Sequence, residues 1–222
     1  MREAAENQVK DMILVFSLGR TASQSVYFSL RKSYKPHFLV RHAHRFNMAA
    51  PHKPIDQKEE HVILNKKIKY QEILRNAMKP KIKCNIFTLI RDPVGLMYSS
   101  FVYGGRNYIK GILDKDQEAS WPEIQNAFDN FAKNMYDEQK NWFRSELEKI
   151  FGISICRIES PKSRGFASCD HGRGKFVLIR VEDLSRCFES AVDFLLPYGK
   201  CTLENVNTAE SLGYDSLYRR VV

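Results

Sequence analysis

The sequence has no apolar run approaching the ~20 residues a membrane-spanning helix needs, no Cys-x-x-Cys pair, no internal repeat and no low-complexity tract. Without such a run or a signal peptide at Met1-Arg2-Glu3, the chain is expected to be soluble, with no stable membrane insertion. Its five cysteines, Cys84, Cys156, Cys169, Cys187 and Cys201, are an odd number at irregular spacings, which argues against a disulfide framework. They read as reduced thiols of a reducing compartment, and the cytoplasm is the expected location. Acidic residues are also in short supply: 26 stand against 35 Lys and Arg, leaving a net charge of +9. Such an excess suits an anionic ligand, although a cluster such as Lys66, Lys67, Lys69, Lys79, Lys81 and Lys83 is partly plain solvated surface. A hydrophobic content of 43% and an aromatic content of 12% exclude a disordered chain, and 222 residues suffice for one α/β domain.

Short apolar runs alternate with longer amphipathic ones. Strands are expected near residues 12–17, 37–41, 84–90, 153–158 and 175–181, and helices near 23–33, 68–78, 93–103, 121–150 and 183–196. This alternation predicts an α/β fold with a mostly parallel sheet flanked by helices, in a single domain over 1–222. The stretch from His42 to His61 reads as a long polar loop, a candidate substrate lid, and Ser160 to Gly174 as a second, basic loop.

The run Ile13-Leu14-Val15-Phe16 passes through Ser17-Leu18-Gly19 into Arg20-Thr21-Ala22-Ser23-Gln24-Ser25 and then an amphipathic helix. A helix entered directly from a strand offers its first N–H groups and the positive end of its dipole to phosphate oxygens. Arg20, Thr21, Ser23 and Ser25 add side-chain donors. The nucleotide-kinase loop places Gly and Lys five and six residues after its first Gly. Here those positions hold Gln24 and Ser25, which disfavours a magnesium-dependent ATP or GTP site. The bland alternative is a strand, a turn and a helix capped by Ser23.

A second apolar run, Cys84 to Ile90, ends at Arg91-Asp92-Pro93, where Pro93 suits the first turn of a helix. Arg91 and Ser99, eight residues apart, would hold another phosphate from two sides.

In this order and roughly seventy residues apart, the two segments resemble the cofactor-binding elements of sulfotransferases that use 3′-phosphoadenosine 5′-phosphosulfate, PAPS. Val181-Glu182-Asp183-Leu184 resembles a strand-to-helix junction late in that P-loop-like fold. Asn141-Trp142-Phe143 with Glu148-Lys149-Ile150-Phe151-Gly152-Ile153 is similar to sulfotransferases assigned to bacterial capsular polysaccharide synthesis. The resemblance implies that Gly19 through Ser25 grip the 5′-phosphosulfate, and that Arg91 and Ser99 grip the 3′-phosphate. It adds Arg164 and Arg173, in a late basic loop, as secondary 3′-phosphate contacts. It implies a carbohydrate or polysaccharide acceptor, PAP as product, no metal and no nucleic acid. The chain departs from the family where Arg20 replaces the usual Lys and Ala22 the usual Gly. Guanidinium stabilises charge but as a planar fork that keeps its proton. If position 22 needs positive φ, a Cβ there costs on the order of 1 kcal/mol.

Sulfuryl transfer to a hydroxyl needs a proton acceptor, and His42 and His44 follow the second apolar run, where strand ends converge on a ligand crevice. The similar branch carries a His-x-His here, with His44 the further toward the mouth. A pair of ligands without nearby Cys, Asp or Glu makes a poor zinc site. Tyr98, Phe101, Tyr103, Tyr108 and Trp121 are candidate sugar platforms or core residues, and Arg106 a contact for an acidic acceptor. Cys169 near His171 invites, weakly, a thiol nucleophile. Three readings stand beside a sulfotransferase: a degenerate kinase-like phosphotransferase with Asp92 on magnesium, a nucleic-acid-binding domain without a recognisable motif, and a noncatalytic PAPS-binding protein.

Overall fold

A computed structural model describes residues 10–46, 57–104, 120–158, 165–196 and 200–204. Strand β1 (Met12–Phe16) leads through a six-residue loop into α1 (Ser23–Tyr34), followed by β2 (Leu39–Ala43), α2 (Gln57–Ala77), β3 (Cys84–Ile90) and α3 (Pro93–Gly104). Then come α4 (Trp121–Trp142), prolonged by a π-helical segment Phe143–Glu148 and an α-turn Lys149–Phe151, the hairpin strands β4 (Phe166–His171) and β5 (Gly174–Arg180), and α5 (Leu184–Leu195). The sheet order is β2-β1-β3-β5-β4, parallel except for β4 against β5.

Strand alternation sends β1 side chains into two cores. Ile13 and Val15 join Phe87, Leu89, Val26, Leu30 and Phe188, under α1 and α5. Met12, Leu14 and Phe16 join Ile86, Ile73, Trp142 and Leu147, under α2 and α4. Within the second core Phe16 stacks on Phe46 at 4.7 Å and meets Trp142 at 5.0 Å and Phe151 at 5.8 Å. Buried on both faces, β1 is apolar throughout, as a central parallel strand must be.

Three expectations are corrected. Residues 153–158 form a 3₁₀ turn at Ile155–Arg157 rather than a strand, after Gly152 ends the preceding helix at φ 71°. Ile153, Ile155 and Ile158 pack onto the second core from outside the sheet, so their apolar spacing mimics a strand. The fifth strand is β4, inside the stretch read as a loop. As an edge strand in a hairpin it tolerates Ser168 and Asp170, and its polar composition hid it. Helix α2 begins at Gln57, well before the expected residue 68, so it takes the end of the proposed lid; residues 47–56 lie outside the described set. Among the described residues no helix is long and apolar enough to cross a membrane.

Candidate functional site

β1, β2, β3 and β5 run parallel, so their C-terminal ends lie along one edge of the sheet. β1 connects to β2 on one side and pairs with β3 on the other, and strand order reverses there; crevices at such points are where open α/β sheets bind ligands. The loop after β1, His42 near the end of β2 with His44 just past it, and Arg91 after β3 meet at this edge.

The loop after β1 is held from within. Thr21 Oγ donates to the Leu18 carbonyl at 2.7 Å and lies 3.0 Å from Ser17 Oγ; both residues are buried. Thr88 Oγ donates to the Phe16 carbonyl at 2.8 Å. The Thr21 hydroxyl, expected on phosphate, is thus committed to the loop. Gly19 has open space where a side chain would stand. Arg20 and Ala22 adopt left-handed backbone, φ 65° and 54°, so position 22 does carry the positive φ. Ala22 is also the N-cap of α1 and, lacking a side-chain oxygen, makes no cap hydrogen bond; Ser23 is the first helical residue rather than the cap. Ser23, Gln24 and Ser25 thus form the first turn of α1 at the crevice.

Arg91 follows β3 directly, and its Nη1 donates to the Arg20 carbonyl at 3.4 Å, joining the two turns. Asp92 caps α3 through Oδ1, which accepts Val94 N–H and Gly95 N–H, both at 3.0 Å. That engagement leaves Asp92 poorly disposed as a magnesium ligand. A Cβ on Gly95 would stand 3.4 Å from Arg91 Nε, so the guanidinium lies over the first turn of α3. Ser99, one turn beyond Gly95, shares that face and is half-buried. Glu182 accepts the Asp92 N–H at 3.0 Å and ties the end of β5 to the start of α3. Burial works against the charged Glu182 carboxylate, yet that bond and Arg180 hold its pKa below the ordinary value.

His42, in β2, and His44, one residue past its end, bring their rings together edge to face, with centroids 4.5 Å apart. His42 stacks on Tyr27 at 5.5 Å, and its Nε2 shares a hydrogen bond of 3.0 Å with Ser23 Oγ. Burial pushes its pKa down to about 3, with the charges of His44 and Lys69 adding to the effect. His44 Nδ1 faces the Ser17 carbonyl at 2.7 Å. A carbonyl has no proton to give, so Nδ1 donates and, in the neutral ring, Nε2 carries the lone pair. Burial lowers the His44 pKa against the raising effect of that hydrogen bond, and Arg20, Arg45 and Lys66 lower it further. Arg20 therefore bears on His44 electrostatically, and the three candidate catalytic residues share one site.

The backbone at His44 is clamped from the second core. Trp142 Nε1 donates to the His44 carbonyl at 2.7 Å, and the Tyr70 hydroxyl is hydrogen-bonded to the His44 backbone. Buried Glu146, in the π-helical segment, accepts the Phe46 N–H at 2.8 Å. The roles of Ser17, Tyr70 and Glu146 escaped the reading of the sequence, and Trp142 and Glu182 were read only as parts of resembling segments, because all five act on or through backbone atoms, contacts that leave no motif.

Other candidates fall elsewhere. Arg173 sits in the β4–β5 turn at the opposite end of the sheet: its carbonyl accepts the Cys84 N–H at the start of β3, and its Nη1 donates to the Met78 carbonyl at 2.6 Å. It cannot join a ligand held by Arg20 and Arg91, because the parallel strands separate the two edges. Arg164, Arg106 and Tyr108 lie outside the described residues. Tyr98 stacks on Phe128 at 4.8 Å, and Phe101 meets Phe128 and Phe131, which places both aromatics in α3–α4 packing. Burial and Asp170 push the Cys169 thiol up, away from nucleophilic character. Among the described residues no group of three or more His, Cys, Asp or Glu could hold a metal. Clefts of about 770 Å³ beside Lys10, Phe28 and Arg31, and of about 900 Å³ beside Lys83, Asn85 and Arg173, lie away from this edge. No known family model, curated protein or solved structure matches the chain.

Proposed function

We propose that the chain is a sulfotransferase, of the P-loop-like sulfotransferase fold, that moves a sulfuryl group from PAPS to a hydroxyl of a carbohydrate. The observation that carries this reading is the contact between the Arg91 guanidinium and the Arg20 carbonyl. It sets two cationic strand-to-helix turns side by side, close enough to take opposite ends of one doubly phosphorylated nucleotide. The 5′-phosphosulfate would rest on Gly19 to Ser25 at the start of α1, and the 3′-phosphate between Arg91 and Ser99.

The chemistry follows from the same geometry. Arg20 would neutralise charge that develops on the bridging oxygen as the S–O bond breaks. His44 Nε2, neutral near pH 7, would accept the acceptor's hydroxyl proton as its oxygen bonds to sulfur, leaving a sulfate ester and PAP. His42 would orient Ser23 through their hydrogen bond. A noncatalytic PAPS-binding protein would not need a neutral imidazole whose Nδ1 is held by the donor loop.

Separate variants test this division of roles. His44→Asn should retain affinity for adenosine 3′,5′-bisphosphate (PAP) within about threefold while sulfuryl transfer from labelled PAPS to a glycan panel falls 10²-fold or more, the range for loss of a general base. Unchanged transfer in that variant would remove His44 from the mechanism.

A further inference from the structure

Helix α2 follows β2, the edge strand on the far side of β1 from β3, so it flanks the histidines opposite the donor crevice. Its inward stripe is fixed at the C-terminal end, where Ile73 and Ala77 are buried in the second core. Tyr70 reaches the His44 backbone, and Gln71 Nε2 donates to the Phe46 carbonyl. Stepping back along that stripe by helical intervals of three and four residues leads from Ile73 to Lys69 and Lys66. Their charges reach the imidazoles: Lys69 bears on His42 and Lys66 on His44. Lys67, one position along, projects about 100° off the stripe. The spacing was legible in the sequence, but as a solvated face.

The formal charges that bear on the two imidazoles, from Arg20, Arg45, Lys66 and Lys69, are all positive. Arg45 has a buried counterion in Glu146, and Arg20 belongs to the donor loop. The two lysines come from α2 and are exposed, on the side of the histidines away from the donor loop. Bringing an anionic acceptor toward an anionic sulfonate costs Coulomb energy, which cations on the acceptor side offset.

We propose that Lys66 and Lys69 form an anion subsite for the acceptor, so that the hydroxyl presented to His44 belongs to a sugar carrying a carboxylate or sulfate ester beside it. This deepens the sulfotransferase reading and rests on it. The test measures binding of a glucuronate oligosaccharide and of a sulfated oligosaccharide, each against its uncharged counterpart, in the presence of PAP. At least one charged probe should bind tenfold or more tightly than its neutral partner; the double variant Lys66→Gln/Lys69→Gln should lose that preference, and Lys67→Gln keep it. No preference in the wild type, or a preference equally sensitive to Lys67→Gln, overturns the subsite. PAP affinity, measured in the same samples, reports on the donor reading separately: its loss in the wild-type chain would sink that reading, whereas normal PAP binding without charge preference would sink the subsite alone.

Discussion

His42 and His44 are neutral in the folded chain because burial and surrounding cations disfavour the imidazolium, and His171 is lowered by burial as well. In the unfolded chain all three take a proton near pH 6.5. The unfolded state therefore binds more protons below that pH, and stability, complete above about 6.5, is lost as pH falls toward the folded values. Urea melts between pH 6.5 and 5 should show stability declining on acidification, with His42 alone contributing a slope that approaches ~1.4 kcal/mol per pH unit and His44 and His171 adding in the same direction. His42→Asn should reduce the slope by about one proton; an unchanged slope would contradict the buried neutral ring. His-x-His could be read from the sequence as a base candidate. Which ring nitrogen holds the proton could not, because the Ser17 carbonyl that decides it comes from the loop after β1, 27 residues away in sequence.

At the scale of elements, the start of α1 is under strain. Ala22 takes a left-handed backbone at a cap position where it supplies no oxygen, and both features favour glycine there. Ala22→Gly should raise stability by up to about 1 kcal/mol, the relief of Cβ strain being partly offset by the freer unfolded chain, and Ala22→Val should lower it by more than about 1 kcal/mol. Equilibrium urea unfolding checks both, and destabilisation by Ala22→Gly would contradict the left-handed geometry. The penalty was visible in advance as a conditional: an alanine where the resembling loops have glycine. Boundaries were legible where periodicity and caps agree, as at Pro93 for α3, and illegible where composition misled, as for β4 in its Ser- and Gly-rich surroundings. The Asp92–Glu182 link joins two loops 90 residues apart, a tertiary fact with no local signature.

Over the whole molecule, a parallel sheet gathers the ends of β1, β2, β3 and β5 on one edge, and a chain of net charge +9 places Arg20, Arg91, Lys66 and Lys69 around it. The α/β class and the mostly parallel sheet followed from alternating apolar runs. The position of Arg173 at the far edge did not, since strand direction decides it. In the proposed function, the turns after β1 and β3 close on one doubly phosphorylated nucleotide without a metal. Thermal unfolding with PAP in a magnesium-free buffer tests it most directly. At a hundredfold excess over Kd the ligand should add about 2.7 kcal/mol, a rise on the order of 5–10 °C for a chain of this size, and Arg91→Ala should remove most of it. A rise seen only with ATP and magnesium, or a PAP response that survives in Arg91→Ala, would contradict it.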